Sequence, residues 1–187
     1  MGTLGDPSEN WDHTLKICKS ISGCNKQIVI ITKHWTKLTD EQLGIINGLN
    51  ICINTSVSAL DETYQLANSI YQYNRIKPFC KSILRVVSCD FNKENEKGNE
   101  LSKLQESLFD NDNVIDTVLR VNKNNELLRL GIINVKKSKF LGKPALISKY
   151  NAKTYLGKCD TCNEMCGTKM AAEYINRIPI VKQLTLI

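Results

Sequence analysis

Ile28-Val29-Ile30-Ile31-Thr32-Lys33-His34 decides the fold of this chain, because an apolar, β-branched run ends abruptly in a polar cluster. The same succession occurs at 51–58 and at 83–92, where apolar runs again lead into polar residues. Apolar runs without polar alternation are typical of strands buried on both faces, as in parallel sheets. In proteins built from repeated strand–helix units, groups at the carboxyl ends of the strands form the functional site. The sequence therefore predicts a parallel sheet with its site at three strand ends.

Segments with helical spacing separate the apolar runs. In the first of them, Trp11, Leu15 and Cys18 recur at intervals of three to four residues. Thr39 and Gln42 form a capping box at the start of the second. Strands that alternate with helices through long connections are expected to pair in parallel with right-handed crossovers, so the fold class is α/β. We predict helices at 11–21, 39–49, 60–73 and 100–109, and strands at 27–33, 50–55, 81–88 and 114–121.

The pattern changes after Val121. Short apolar runs at 130–135 and 144–147 are separated by the basic stretch Lys136-Lys137-Ser138-Lys139. No further strand–helix unit is recognisable in this part of the sequence. We therefore predict one unit at 1–122 and an irregular, cysteine-containing C-terminal extension at 123–187.

The composition predicts a cytoplasmic protein without a membrane segment. The chain has 187 residues and a net charge of +6, from 25 Lys and Arg against 19 Asp and Glu. No segment has the apolar length of a signal peptide or of a bilayer-spanning helix. The mild positive charge suits an anionic ligand or nucleic acid without selecting either, and the stretch from Lys136 to Lys139 could equally be a solvated turn.

Three of the eight cysteines, Cys159, Cys162 and Cys166, lie close together in the sequence. Three thiolates within eight positions can bind one metal ion. An iron–sulfur cluster held by three cysteines would leave one iron open, whereas zinc would need a fourth ligand from Cys89, Cys18, a histidine or a carboxylate. A redox pair with an incidental third cysteine, or free thiols, are the alternatives.

Polar side chains at the three strand ends suit an anionic ligand. The candidates are Thr32, Lys33, Ser56, Ser58 and Arg85. Arginine binds a carboxylate or phosphate bidentately and is costly to bury without a partner. We therefore predict that Arg85 faces a ligand, or else a carboxylate such as Asp6 or Asp61. Lys33 and His34 could instead belong to a solvated loop, and Asp6 could cap the helix that follows it.

The order of these motifs resembles that of radical S-adenosylmethionine barrels, especially the spore photoproduct lyase-like group, over residues 4–121. Leu4-Gly5-Asp6-Pro7 is similar to the family's Gly-Gly-Glu-Pro segment, which receives the amino group of the cofactor. Thr32-Lys33 is similar to the Thr-Lys after the family's third strand, and 55–58 to its hydroxyl-rich fourth strand end. Arg85 stands where an arginine could pair with the cofactor carboxylate. The resemblance implies S-adenosylmethionine binding by Gly5, Asp6, Pro7, Thr32, Lys33, Ser56, Ser58 and Arg85.

The chain also departs from that family. Its members hold a [4Fe-4S] cluster with Cys-x3-Cys-x2-Cys after the first strand, and this sequence has no such motif. By resemblance, strands one and two are missing, so the fold over 1–122 would be a partial parallel (β/α) barrel. Such a barrel exposes a sheet edge that an upstream segment, a second polypeptide or a second copy would cover. The reversed spacing of the C-terminal cysteines favours an auxiliary cluster or structural zinc over a catalytic replacement.

Two functions follow from these observations. The first is a radical S-adenosylmethionine-type enzyme, or the C-terminal part of one. By resemblance it would cleave the cofactor reductively at the open iron and abstract a hydrogen atom from an unidentified substrate. The second is a non-catalytic metal-binding remnant that binds a partner or nucleic acid. An in-frame Cys-x3-Cys-x2-Cys in the upstream coding sequence would separate the two.

We expect the purified protein to carry metal at Cys159, Cys162 and Cys166, because three adjacent thiolates bind zinc and iron alike. Iron, sulfide and zinc analysis after anaerobic purification should find about one metal centre per chain. Metal-free protein would contradict this expectation. Zinc alone, with a melting temperature that S-adenosylmethionine leaves unchanged, would argue against the enzyme.

Overall fold

The computed structural model describes residues 5–24, 27–140 and 143–150, which form a mixed α/β structure. A 3-10 turn, Pro7–Asn10, precedes the first helix, and another, Ser22–Cys24, follows it. The remaining elements, in chain order, are α1 (Trp11–Ile21), β1 (Ile28–Thr32), α2 (Asp40–Asn47), β2 (Ile51–Val57), α3 (Thr63–Ile76), β3 (Lys81–Ser88), β4 (Asp90–Phe91), α4 (Glu96–Leu108), β5 (Val114–Val121), α5 (Glu126–Arg129), β6 (Ile133–Asn134), β7 (Lys136–Phe140) and β8 (Lys143–Ser148).

Six strands form one sheet in the order β1-β2-β3-β5-β8-β7. The first four pair in parallel, while β8 and β7 extend the sheet in the antiparallel sense. The sheet is curled into a half-barrel. β4 and β6 form a separate two-stranded sheet. The α/β class and the parallel pairing of the first strands, both predicted from the sequence, are confirmed.

Helices cover one face of the sheet, which we call the outer face. α1 and α2 pack on β1 and β2 in a cluster that includes Trp11, Leu43 and Ile30. α3 and α4 pack on β2 and β3 in a second cluster around Tyr73 and Leu84, both fully buried. Burial of an aliphatic side chain of this size stabilises the fold by about 1.5–3 kcal/mol. The outer-face clusters therefore account for much of the stability of the sheet.

The inner face is the opposite side of the same strands. Near the amino ends of the strands, Cys52, Ile83 and Ile115 form a small apolar cluster, all of them buried. Toward the carboxyl ends this face becomes polar, because the register places Ser56 of β2 beside Arg85 of β3. The inner face of the half-barrel therefore has an apolar end and a polar end, and the polar end is the one suited to a ligand.

Local sequence signals explain where the helices begin. The predicted capping box is present, since Gln42 N donates to Thr39 Oγ1 at 3.2 Å and Thr39 N donates to Gln42 Oε1 at 2.9 Å. The side chain of Asn95 accepts from Gly98 N, so α4 begins at Glu96, earlier than the predicted start at residue 100. None of the described helices is long and apolar enough to cross a bilayer.

The chain after Val121 is more regular than its sequence indicates. Instead of an irregular extension, the described residues of 126–140 and 143–148 include α5, β6 and the antiparallel pair β7–β8, and β8 pairs with β5 over Leu119–Val121. The sequence did not predict the hairpin, because four of its side chains are lysines. A solvent-facing edge strand tolerates this composition, whereas a buried strand does not. The cysteines at 159–166 lie outside the described residues.

We expect Gly98→Ala to lower the free energy of unfolding by about 1–3 kcal/mol, as overpacking does. A Cβ at this position would collide with the carbonyl oxygen of Asn92 and lie 3.0 Å from that of Ile132. Gly44→Ala in α2 is the matched control, because its Cβ meets nothing within 4 Å. That change should stabilise the protein by up to about 1 kcal/mol. Urea unfolding of both variants measures the difference, and equal effects would contradict the packing.

Candidate functional site

The carboxylate of Asp6 ties the amino-terminal turn to the end of β1. Its Oδ1 accepts hydrogen bonds from Ser8 N at 2.9 Å, from Ser8 Oγ at 2.7 Å and from Thr32 Oγ1 at 2.5 Å. Its Oδ2 accepts from Lys33 N at 2.6 Å. Burial raises the pKa of Asp6, but the hydrogen bonds from Thr32, Ser8 and Lys33 outweigh it, so the pKa lies below its ordinary value. Asp6 is thus an ionised anchor as well as the cap of the turn that begins at Pro7.

Lys33 links the ends of β1 and β2. Its Nζ lies 2.6 Å and 2.7 Å from the two carboxylate oxygens of Asp61. Asp61 Oδ2 also accepts from Ser58 N at 2.8 Å, and Ser58 Oγ donates to Val87 O of β3 at 2.9 Å. Three successive strand ends are therefore joined by one chain of polar contacts. Lys33 is held in this network and does not belong to a solvated loop.

His34 is completely buried beneath this network. Its backbone is left-handed, with φ of 54°, and its Nε2 lies 3.0 Å from Thr55 Oγ1. Within the described part of the chain, Nδ1 has no hydrogen-bond partner. The ring lies 5.8 Å from that of Trp11. Burial lowers the pKa of His34 to about 4, although Asp6 opposes the shift, so the imidazole is neutral at physiological pH.

A cavity of about 590 Å³ opens on the inner face near the carboxyl ends of β2, β3 and β5. Its lining is about equally polar and apolar, a mixture that suits a small polar molecule. The charged and hydroxyl groups come from adjacent strands, and all carry donors. Its lining residues include Ser56, Arg85, Thr117, Arg120, Ile31 and Val87.

Asn54 lies two residues before Ser56 on the same face of β2 and has no exposed surface. Its Oδ1 accepts from Cys52 Sγ at 3.4 Å, but its Nδ2 has no hydrogen-bond partner among the residues described. A buried amide donor without a partner is costly, and in native proteins it usually marks a bound water or ligand. The inner face therefore holds a donor that a ligand could satisfy.

The structure divides the site residues named from the sequence into two groups. Thr32 is in register with Thr55, whereas Ser56 is in register with Arg85. Because side chains alternate along a strand, Thr32 lies on the outer face and Ser56 and Arg85 on the inner face. The chain of polar contacts through Asp6, Lys33 and Asp61, which we call the anchor network, contains or adjoins Gly5, Asp6, Pro7, Thr32, Lys33 and Ser58. Of the site residues predicted from the sequence, only Ser56 and Arg85 line the cavity.

Sequence reasoning overlooked Thr117, Arg120 and Asn54. Polar and apolar residues do not alternate along 114–121, so no local pattern in the sequence distinguished the first two. The two carboxylates that we named as alternatives to a ligand for Arg85 both bind other groups, Asp6 accepting from Thr32 and Asp61 from Lys33. Among the residues described, no group of three His, Cys, Asp or Glu could hold a metal ion. The trio Cys159, Cys162 and Cys166 lies beyond them.

Comparison of the chain with models of protein families, with curated proteins and with solved structures finds no match. The resemblance to radical S-adenosylmethionine enzymes therefore stays a prediction.

We expect the protein to lose on the order of 3 kcal/mol of stability from His34 between pH 7 and pH 4. The folded pKa lies below the unfolded value of 6.5, so the unfolded chain binds a proton first, and stability falls as the pH drops through this window. His34→Asn cannot titrate and tolerates the left-handed backbone. Its free energy of unfolding should depend less on pH than that of the wild type, whereas the helical, exposed His13→Asn should follow the wild type. Urea titrations at several pH values measure both, and parallel curves for the wild type and His34→Asn would contradict the assignment.

Proposed function

We propose that the inner-face cavity binds a small anionic molecule, and that this molecule is S-adenosylmethionine. The chain would then be a radical S-adenosylmethionine-type enzyme or the C-terminal part of one, with a partial (β/α) barrel as its scaffold. One observation carries the proposal: Ser56 and Arg85 are in register on adjacent strands and both line the cavity at the polar end of the inner face.

The size and lining of the cavity support a ligand of this kind. Its volume of about 590 Å³ is within the range of small-molecule sites. The guanidinium of Arg85 can bind a carboxylate bidentately, and the hydroxyls of Ser56 and Thr117 can bond a sugar or a carboxylate. The unpartnered amide of Asn54 lies on the same face of β2 but is not part of the cavity lining. A zwitterion with a sugar would suit the arginine and the two hydroxyls.

The residues of the anchor network fit the cofactor less directly. Oδ1 of Asp6 already accepts three hydrogen bonds, which leaves Oδ2 as the atom with room for an ammonium group. Thr32 and Lys33 are likewise engaged with Asp6 and Asp61. We assign Asp6, Thr32 and Lys33 the positioning of the β1 end, and we assign Ser56 and Arg85 direct contact with the ligand.

The proposed chemistry needs a metal cluster in addition to this cavity. A cluster with an open iron would supply the electron that cleaves the cofactor. Cys159, Cys162 and Cys166 are the candidates in this chain for an auxiliary iron–sulfur cluster or for zinc. A catalytic cluster would come from an upstream segment or another polypeptide, and β1 at the edge of the described sheet is the strand beside which such a segment could pair.

A non-catalytic binding module is the second candidate. The same Arg85 and Ser56 would then hold an anionic ligand that is not S-adenosylmethionine. The two candidates differ in whether the cofactor binds the cavity at all, which a binding measurement decides.

We expect Arg85→Ala to weaken S-adenosylmethionine binding by roughly tenfold or more, because a charge-assisted bidentate hydrogen bond is worth about 1.5–3 kcal/mol. Arg85→Lys keeps the charge but not the bidentate geometry and should lose less. Arg129→Ala, at an exposed position on α5, is the control and should bind like the wild type. Calorimetric titration of the anaerobic protein measures each affinity.

5′-Methylthioadenosine tests which part of the ligand Arg85 contacts, because it has no carboxylate. Arg85→Ala should leave the affinity for 5′-methylthioadenosine unchanged while it lowers that for S-adenosylmethionine. Equal losses for the two ligands would contradict the carboxylate contact, and wild-type protein that binds neither would overturn the proposed function.

A further inference from the structure

Positive charge is concentrated in one part of the chain. Residues 120–149 contain eight Lys or Arg and one Glu, a net charge of +7, whereas residues 1–119 contain 12 Lys or Arg against 15 Asp or Glu, a net charge of −3. Such an asymmetry between segments indicates an interaction with a polyanion. The basic residues of the segment are Arg120, Lys123, Arg129, Lys136, Lys137, Lys139, Lys143 and Lys149.

The β7–β8 hairpin carries four of these charges, and all four lysines are exposed. The register pairs Lys136 with Ile147 and Lys137 with Leu146, and it pairs Phe140 with Lys143. Because side chains alternate along a strand, Lys137 and Lys139 lie on one face of the hairpin. Lys136 and Lys143 lie on the other face. The hairpin is therefore a two-stranded ribbon with positive charge on both sides.

Neither pairing with acidic residues nor protection of a sheet edge accounts for this arrangement. In the described ranges, none of the ion pairs involves a lysine of the hairpin. Lysines on an edge strand discourage the addition of another strand, which would explain those of β7. Lys123, however, lies in the connection after β5, away from this edge strand. The charge extends beyond the edge that would need protection.

A shallow depression of about 530 Å³ continues this basic surface across β8 toward β5. Lys123 and Lys137 lie at its sides, and Val121, Leu146 and Pro144 form its apolar part. The positive surface thus runs from the free edge of the hairpin onto the body of the sheet. A ligand that follows this surface must be long and repeatedly charged.

We propose that the β7–β8 hairpin binds double-stranded nucleic acid by lying in a groove, with Lys136 and Lys143 facing one phosphate backbone and Lys137 and Lys139 the other. A two-stranded β-ribbon fits the major groove of a duplex. A ribbon that enters the groove by its free β7 edge turns its two faces toward the two phosphate backbones, whereas a flat anionic surface such as a lipid bilayer would meet one face. Contacts of this type bind the backbone and do not read the sequence. This inference does not depend on the proposed function of the inner-face cavity.

Fluorescence anisotropy with a labelled DNA duplex of about two helical turns and mixed sequence tests the proposal on the full-length protein. The wild type should bind, and its affinity should fall steeply as salt rises from ~50 to ~200 mM. A variant with Lys136, Lys137, Lys139 and Lys143 all changed to Gln should bind more than about 30-fold more weakly. Its slope of log affinity against log salt should be shallower by roughly 3 to 4, since each phosphate contact contributes about 0.9.

The matched control removes four exposed lysines from the rest of the surface, so its net charge equals that of the hairpin Gln variant. In this control Lys16, Lys19, Lys37 and Lys103 are changed to Gln. It should bind the duplex within about threefold of the wild type, since it keeps every proposed phosphate contact. A variant with Arg at the four hairpin positions should bind like the wild type, and it shows that loss of charge rather than misfolding weakens the Gln variant.

Four outcomes would overturn the proposal. They are a wild type that does not bind the duplex, equal losses for the hairpin variant and its control, equal affinity for a single strand of the same sequence, and tighter binding to phosphatidylserine vesicles than to the duplex. Equal affinity for the single strand would contradict contact with two phosphate backbones. Tighter binding to the vesicles would assign the hairpin to a membrane surface.

Discussion

Side chains alternate between the two faces of a strand, and in an in-register parallel sheet this alternation assigns whole rows of residues to one face. The row that contains Thr32, Thr55 and Leu84 lies against the helices. The row that contains Ser56 and Arg85 lies on the inner face. A shift of one residue in this register would exchange the rows and bury Arg85 among aliphatic side chains. The core and the candidate ligand site therefore depend on the same pairing.

Polar contacts at the strand ends hold the register in place. Asp6 joins the amino-terminal turn to β1, and Lys33 with Asp61 and Ser58 continues the connection to β2 and β3. Backbone groups at these ends are also satisfied by α3, where Gln65 and Ser69 donate to Lys33 O at 2.7 Å and 2.8 Å. Each such hydrogen bond contributes modestly to stability, but the loss of one partner costs more because the other is left buried and unsatisfied. They position the end of the half-barrel on which the cavity opens.

The two proposed binding surfaces use opposite designs. The inner-face cavity combines two arginines and two hydroxyls with apolar side chains, which favours a compact ligand of defined shape. The β7–β8 hairpin distributes lysines over an exposed ribbon, which favours a long ligand with repeated charge. They share β5, since Thr117 lines the cavity and Val121 pairs with β8. A strand common to both surfaces would fix the distance between a bound polyanion and a ligand in the cavity.

The sequence by itself determined the α/β class, the parallel pairing of the first strands and the capping box of α2, because buried β-branched runs and helix caps are local signals. It also singled out Arg85, since an arginine within an apolar run needs a partner, and the structure places this residue in the lining of the inner-face cavity. Only the tertiary structure decided that Thr32 and Ser56 lie on different faces, that His34 is buried and neutral, and that β7 and β8 extend the sheet as an antiparallel pair. These features depend on register and on contacts between residues distant in sequence, such as Asp6 with Thr32 and β5 with β8. No local sequence pattern predicts such contacts, because the two residues of each pair come together only when the chain folds.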